Sequence, residues 1–170
     1  MIYVFVGMPG SGKSCMVRAI SKKLNMQAVD VDKLIEARYG LPLHKIVGDV
    51  GPDKFKEIEE ETLLTVDGDD LLVATGGSAI YSSRAMERFK RIGKIIYLYV
   101  GFETMLQRLG DFSKRGIVMR PDQTIRDVYD EREALYRKYA DVTVDCDGVE
   151  YHEYRRRVAE AIKSIKNKHN

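Results

Sequence analysis

The apolar residues of the chain fall into short continuous runs that alternate with longer segments of helical periodicity. Ile2–Val6 is a run of β-branched and aromatic residues, which predicts a buried parallel strand. In Lys13–Leu24, apolar residues such as Met16 and Ile20 recur every four positions, which predicts an amphipathic helix. Comparable runs predict further strands at Gln27–Val29, Leu71–Ala74, Lys94–Val100 and Val142–Asp145.

Helical segments fill the intervals between the predicted strands, and glycine or proline separates several of them. These helices are expected at Lys33–Arg38, Leu43–Val47, Asp53–Val66, Ser83–Ile92, Glu103–Leu109, Thr124–Tyr139 and Tyr151–Lys166. Gly110–Gln123 shows little periodicity and contains clustered cations, so we interpret it as a mobile loop. Because five buried strands alternate with helices, we predict one domain, residues 1–170, with a three-layer α/β/α fold and a five-stranded parallel sheet.

The composition narrows the class of protein. The 170 residues include 28 Lys and Arg against 26 Asp and Glu, a net charge of +2. This balance argues against a nucleic-acid-binding protein or a polybasic membrane module, since both carry a large excess of one sign. No apolar run approaches the roughly 18 residues of a membrane helix, and the N-terminus lacks the features of a signal peptide. Cys15 and Cys146 are too few for a disulfide framework, so we expect a soluble cytoplasmic protein, taken to be a monomer.

A phosphate-binding motif follows the first predicted strand. Gly7-Met8-Pro9-Gly10-Ser11-Gly12-Lys13-Ser14 matches the pattern G-x-x-x-x-G-K-[ST] and leads into the first predicted helix. Glycines allow the backbone N–H groups to surround phosphate oxygens, and the helix N-terminus favours their negative charge. Lys13 would reach the β- and γ-phosphates, and Ser14 would bind Mg²⁺. The motif therefore predicts a site for ATP and Mg²⁺, with cofactor-binding residues Gly10, Ser11, Gly12, Lys13, Ser14 and Cys15.

Two carboxylates follow the second predicted strand. Asp30 and Asp32 are two residues apart, so on an extended segment both would point toward the phosphate loop. Asp30 could hold Mg²⁺ through water, and Asp32 could orient an attacking hydroxyl or accept its proton. The alternative role for Asp32 is to cap the helix that begins at Lys33, and this role is compatible with the first.

Together these motifs resemble the shikimate kinase family, and the likeness covers nearly the whole chain. It rests on the order and spacing of the phosphate loop, Asp30-x-Asp32, Phe55-Lys56-x-x-Glu59, Gly76-Gly77, Arg108, Arg115 and Glu131-Arg132-Glu133-Ala134-Leu135-Tyr136. The resemblance implies an ATP-dependent kinase that converts shikimate to shikimate 3-phosphate in aromatic amino acid biosynthesis. It also implies a P-loop kinase fold with an acceptor-binding helical region at about 32–66 and a lid at about 110–123.

The resemblance further implies roles for single residues. Asp32 would bind the substrate hydroxyl and act as base, and Gly76 and Gly77 would contact the acceptor. Two cations, Lys56 and Arg132, would bind the substrate carboxylate. On the donor side, Arg108 would pack on the adenine and Arg115 would approach the transferring phosphate from the lid. With Lys13, these assignments make Lys13, Asp32 and Arg115 the expected catalytic residues.

Three positions depart from the family pattern. Lys56 replaces an arginine and keeps its charge but loses the two-pronged fork that matches a planar carboxylate. Ser78 stands where the family has a third glycine. The lid sequence Arg-Pro-Leu-Leu is replaced by Arg115-Gly116-Ile117-Val118, and Arg120, followed by proline, is a second candidate for the lid arginine. These departures leave the assignment of the phosphoryl donor unchanged and bear on the acceptor, so a kinase for another hydroxy acid or a polyol is the alternative function.

Other interpretations remain for the same residues. Lys56 could pair with Glu60, and Arg132 could pair with acidic neighbours on its own helix, as on an ordinary charged surface. Cys15 is interpreted as a small core residue rather than a nucleophile. A nucleotide-binding regulatory module would need the phosphate loop but neither Asp32 nor the lid cations, so their presence argues against it.

Overall fold

The computed structural model describes residues 1–111 and 116–168, and a five-stranded parallel sheet forms its centre. The strand order is β2-β3-β1-β4-β5, and every neighbouring pair is parallel. This arrangement confirms the predicted fold class. The strands are β1 (Ile2–Val6), β2 (Gln27–Asp30), β3 (Leu71–Ala74), β4 (Gly93–Tyr99) and β5 (Val142–Asp145).

Helices cover both faces of the sheet. They are α1 (Lys13–Leu24), α2 (Val31–Tyr39), α3 (Leu43–Val50), α4 (Pro52–Thr65), α5 (Ser83–Ile92), α6 (Phe102–Leu109), α7 (Ile125–Tyr139) and α8 (Tyr151–Asn167). Side chains of β1 alternate between two apolar clusters: Tyr3 and Phe5 pack with α1 and α8, whereas Ile2, Val4 and Val6 face the other helices. Among the described residues, no helix combines the length and apolar character that a membrane crossing requires.

The two edge strands are less buried than the sequence predicts. Gln27 and Ala28 of β2 are exposed, and Val144 is the buried residue of β5. Each edge strand has a neighbour on one side only, so the helices cover it incompletely. The prediction of five buried strands is therefore wrong for β2 and β5, although both strands are present.

The parallel arrangement brings the chemistry to one edge of the sheet. The phosphate loop follows β1, Asp30 ends β2, and Gly76 follows β3. Because β3 lies between β2 and β1, the carboxyl ends of these strands are adjacent, which is where open α/β sheets bind their ligands.

Candidate active site

The phosphate loop connects β1 to α1 through glycines that adopt backbone conformations unfavourable for other residues. Gly10 and Gly12 have φ angles of 80° and 89°. No side chain caps the start of α1, so its first N–H groups are free to bind an anion. A Cβ on Gly12 would lie 3.3 Å from the ring of Tyr154. The loop is thus shaped to bind phosphate through its backbone.

Lys13 is held inside this loop. Its Nζ donates hydrogen bonds to the carbonyls of Gly7, at 2.7 Å, and Met8, at 3.0 Å. Burial lowers the pKa of Lys13 to about 8, while the charge of Asp32 opposes this shift. These two carbonyls hold the ammonium group inside the phosphate loop.

Tyr154 contacts the phosphate loop from α8, and no sequence motif predicts this contact. Its hydroxyl donates a hydrogen bond to the carbonyl of Ser11, and the side chain is buried. The contact joins residues 143 positions apart. Only the packing of α8 against α1 creates it, so periodicity along the chain does not reveal it.

The two aspartates after β2 differ from the predicted arrangement. Helix α2 begins at Val31, so Asp32 lies in its first turn and not on an extended segment. The N-cap is Asp30, whose Oδ1 accepts a hydrogen bond from the backbone N–H of Lys33 at 3.3 Å. The prediction that Asp32 could be the cap is therefore wrong. A capping aspartate at the end of β2 allows the helix to start two residues earlier than expected.

Asp32 nevertheless faces the site. Its Oδ1 is buried and has no hydrogen-bond partner among the described residues. Burial raises the pKa of Asp32 to about 6, and the positive charge of Lys13 limits the rise. A carboxylate in this state can accept a proton near neutral pH.

A cavity of about 410 Å³ unites the phosphate loop with the predicted acceptor residues. The loop lines one side, and Asp32, Gly76, Gly77, Arg108 and Arg132 line the rest, together with Phe55, Glu59, Thr75, Ser78, Leu43 and residues 116–118. Cys15 also lines this cavity and is exposed. The interpretation of Cys15 as a core residue is wrong, because its position on α1 points away from the buried face formed by Met16, Val17 and Ile20.

Gly76 and Gly77 leave room that a side chain would fill. A Cβ on Gly76 would lie 2.2 Å from Glu59 Oε1 and 2.7 Å from Asp32 Oδ1. A Cβ on Gly77 would lie 2.9 Å from Arg132 Nη1. A side chain at Gly76 would force these carboxylates to shift, and one at Gly77 would also press on the Pro9 ring, 2.8 Å away.

Arg132 is the buried cation of the acceptor side, with 1% of its surface exposed. Its Nη2 donates to the carbonyl of Val118 at 2.5 Å, and its Nε donates to the hydroxyl of Tyr81 at 3.4 Å. The interpretation of Arg132 as an ordinary surface residue is therefore wrong. A buried guanidinium beside two glycines suits a planar carboxylate.

Lys56 does not line this cavity. It lines a neighbouring cavity of about 160 Å³, with its Nζ 4.7 Å from the centre of the Tyr81 ring. Its ion-pair partner is Asp53, at 3.8 Å, and not Glu60 as the helical spacing predicts. The ring of Tyr81 thus contacts both cations, since the guanidinium of Arg132 lies 5.4 Å from its centre.

Glu59 also lines the cavity, although its motif in the sequence predicts no role for it. It is buried; its Oε2 accepts a hydrogen bond from Ser78 Oγ at 2.5 Å, and its Oε1 has no partner among the described residues. Burial and then the charge of Asp32 raise the pKa of Glu59 to about 7. The available signal was its position four residues after Phe55, on the same buried face of α4.

The structure describes one of the two candidates for the lid arginine, Arg120. Arg115 lies outside the described residues. Arg120 is exposed and pairs with Asp122, at 3.5 Å, and Glu131, at 3.9 Å, away from the cavity lining. The part of the predicted loop that lines the cavity is 116–118, and a Cβ on Gly116 would lie 2.8 Å from His44 Cα at the start of α3.

The comparisons with known proteins agree with this geometry. The family model described as shikimate kinase matches residues 9–166. The chain is 34% identical to a shikimate kinase of Sulfurihydrogenibium sp. (strain YO3AOP1) over 143 residues, 84% of this chain and 86% of that protein. It is 32% identical to a shikimate kinase of Moorella thermoacetica, with 95% of this chain and 94% of that protein covered.

A solved structure extends the likeness to three dimensions. The shikimate kinase from Acinetobacter baumannii in complex with shikimate superimposes with a TM-score of 0.84 at 28% identity, covering 99% of this chain and 94% of that one. The family match, the curated relatives and the shared fold agree over most of the chain. The chain belongs to the shikimate kinase family.

Proposed function

We propose that the chain transfers the γ-phosphoryl group of ATP to a ring hydroxyl of shikimate, giving ADP and shikimate 3-phosphate. The observation that carries the proposal is the shared cavity, in which the phosphate loop faces Asp32 and the buried Arg132. Membership of the shikimate kinase family supports the choice of acceptor.

On the donor side, the backbone of residues 10–15 and the ammonium group of Lys13 would bind the phosphates, and Arg108 would lie beside the adenine. Ser14 and Asp30 line one neighbouring cavity of about 240 Å³, so a hydroxyl and a carboxylate are available together for Mg²⁺. A magnesium ion held there, through water on the Asp30 side, would offset charge on the β- and γ-phosphates.

On the acceptor side, Asp32 would take the proton of the attacking hydroxyl. The new oxygen–phosphorus bond forms as the bond to the leaving ADP breaks, and the proton passes to Asp32 before release to solvent. Positioning and electrostatic stabilisation supply the catalysis, since no covalent enzyme intermediate is needed. Lys13 and Arg115 are the cations we assign to the charge that spreads over the transferred group.

Arg132 would hold the substrate carboxylate, with Gly76 and Gly77 approaching the acceptor through their backbone. The guanidinium would exchange the carbonyl of Val118 for the carboxylate, which gives a stronger, charge-assisted hydrogen bond. We assign no nucleic-acid or membrane partner, and we place the enzyme in the cytoplasm as a monomer, on its charge balance and composition.

A second candidate is a kinase for a different hydroxy acid or a polyol on the same fold. The observation that favours it is the position of Lys56 outside the cavity lining, which leaves Arg132 to bind a carboxylate without a second arginine at that position. Ser78 adds a side chain to the same pocket.

Release of ADP from MgATP tests the proposal, with shikimate first and then hydroxy acids, polyols and nucleoside monophosphates. We expect turnover with shikimate and a loss of about 10²-fold or more in Asp32→Asn, because the amide cannot accept the proton. Asp49→Asn, an exposed aspartate on α3, is the matched control. Turnover with another acceptor but not with shikimate would establish the second candidate instead.

A further inference from the structure

Ser78 and Glu59 make a buried contact between α4 and the turn that follows β3. Ser78 is 5% exposed and Glu59 is 1% exposed. The Oγ of Ser78 donates to Oε2 of Glu59 at 2.5 Å. A glycine at position 78 could not make this bond, so the contact is a property of this chain where it departs from the family pattern.

The other oxygen of Glu59 faces the acceptor side. Its Oε1 is buried without a hydrogen-bond partner among the described residues, and the same is true of Asp32 Oδ1. The position of a Cβ on Gly76 would lie 2.2 Å from Glu59 Oε1 and 2.7 Å from Asp32 Oδ1. The two oxygens are therefore at most about 4.9 Å apart, the sum of these two distances.

The charges of Lys13 and Arg132 act on Glu59, but the hydrogen bonds of these two cations go to other groups. Lys56 Nζ lies over the ring of Tyr81, 4.7 Å from its centre. The hydrogen bonds of Arg132 go to the carbonyl of Val118 and to the hydroxyl of Tyr81. A buried carboxylate oxygen without a donor is unfavourable, so Glu59 Oε1 is available to a donor that arrives with the ligand.

We propose that Ser78 is a positioning residue that holds Glu59 so that Oε1 accepts a hydrogen bond from a second hydroxyl of the acceptor, next to the hydroxyl bound by Asp32. This inference rests on the proposed function. Each O–H···O⁻ bond spans about 2.5–2.7 Å, so hydroxyls on adjacent carbons can serve both oxygens.

The raised pKa of Glu59 agrees with a role as a hydrogen-bond acceptor for a substrate hydroxyl. Burial and the neighbouring charge of Asp32 raise the pKa of Glu59 to about 7, because two carboxylates share a poorly solvated space. A hydroxyl donor stabilises the ionised form of Glu59, as Ser78 already does on the opposite oxygen. An acceptor without this hydroxyl leaves the carboxylate oxygen unpaired.

The test combines a change in the enzyme with a change in the substrate. Values of kcat/KM are measured for shikimate and for an analogue in which the hydroxyl next to the reacting one is replaced by hydrogen. We expect the wild type to prefer shikimate about 30-fold, the worth of a hydrogen bond to a charged group. In Ser78→Ala this preference is expected to fall below about threefold, because Glu59 loses the contact that aims Oε1.

Ser82→Ala is the matched control. Ser82 Oγ donates to Glu60 Oε2 and also caps α5 by accepting from the backbone N–H of Ala85, but neither Ser82 nor Glu60 lines the acceptor cavity. Its preference for shikimate is expected to match that of the wild type. Ser78→Gly repeats the test with the family's residue if Ser78→Ala does not fold.

The outcomes separate the two proposals. Equal losses for both substrates in Ser78→Ala would show a structural role only and would overturn this inference while the proposed function stands. A preference of the wild type for shikimate of less than threefold would also overturn this inference and leave the proposed function standing. No turnover of shikimate by the wild type would overturn the proposed function and this inference together.

Discussion

The donor and acceptor sides of the cavity are constructed differently. The donor side comes from one continuous stretch, residues 7–15, and its binding groups are mainly backbone N–H groups at the start of α1. The acceptor side combines side chains from α2, α4, α7 and the turn after β3, which are distant in sequence. A site built from backbone groups tolerates changes in side chains, whereas the specificity of a site built from side chains changes with those side chains. Of the departures from the family pattern, Ser78 lies in the site built from side chains, and Lys56 lies in the cavity next to it.

The largest effect is expected from a substitution that fills the acceptor side of the cavity and leaves the donor side unchanged. In Gly76→Ala the new Cβ would meet Glu59 Oε1 at 2.2 Å and Asp32 Oδ1 at 2.7 Å. We expect kcat/KM for shikimate to fall about 100-fold, because Asp32 is displaced from its productive position. The affinity for ATP, measured by calorimetry, is expected to change less than about twofold.

Gly48→Ala is the control for that substitution, since nothing lies within 4 Å of its Cβ position on α3. It is expected to leave turnover unchanged and to favour the helix slightly. A parallel loss of ATP affinity and shikimate turnover in Gly76→Ala would contradict the independence of the two sides.

The dependence of the free energy of unfolding on pH tests the acceptor side through Glu59. The pKa of Glu59 is raised to about 7 in the folded chain, above the ordinary value of 4.5. Between these two pH values the folded state retains the proton of Glu59, whereas the unfolded state loses it. The free energy of unfolding of the wild type should therefore fall, relative to Glu59→Gln, as pH rises from 5 to 8. The expected change is about 1–3 kcal/mol.

Denaturant unfolding at pH 5, 6, 7 and 8 measures this difference. Glu61→Gln serves as the control because Glu61 is exposed on the same helix. A difference between wild type and Glu59→Gln that is constant across the series would mean that Glu59 titrates normally.

The smallest effect is expected at Lys56. Its ammonium lies over Tyr81 and outside the lining of the acceptor cavity, so Lys56→Ala should raise the KM for shikimate at most about threefold. Steady-state kinetics measures the change. A rise of tenfold or more would restore Lys56 as a direct partner of the substrate carboxylate and make the acceptor side more like the family pattern.

Local features of the chain were predictable from sequence, and contacts between distant segments were not. The run Ile2–Val6 and the phosphate loop each carry their signal in consecutive residues, and both lie where predicted. The start of α2 was misplaced because two aspartates compete for the cap, and only backbone geometry shows that Asp30 holds it. The exposure of β2 follows from its position at the sheet edge, which depends on strand order.

The acceptor side shows the same limit. Gly76, Gly77 and Arg132 could be placed by resemblance, and the structure brings them to one cavity with Asp32. Lys56 was expected beside them, but a residue at that position of α4 faces Tyr81. The bond between Ser78 and Glu59 joins residues 19 positions apart in different elements, so no periodic pattern records it.

The contact between Tyr154 and Ser11 has a consequence for how the enzyme is made. Residues 7–14 are synthesised before α8, yet the carbonyl of Ser11 receives its hydrogen bond from a tyrosine 143 residues later. Helix α8 also packs on α1, immediately behind the loop. The hydrogen bond to Ser11 can therefore form only after α8 has been synthesised, so the phosphate loop does not complete its contacts from its own segment alone.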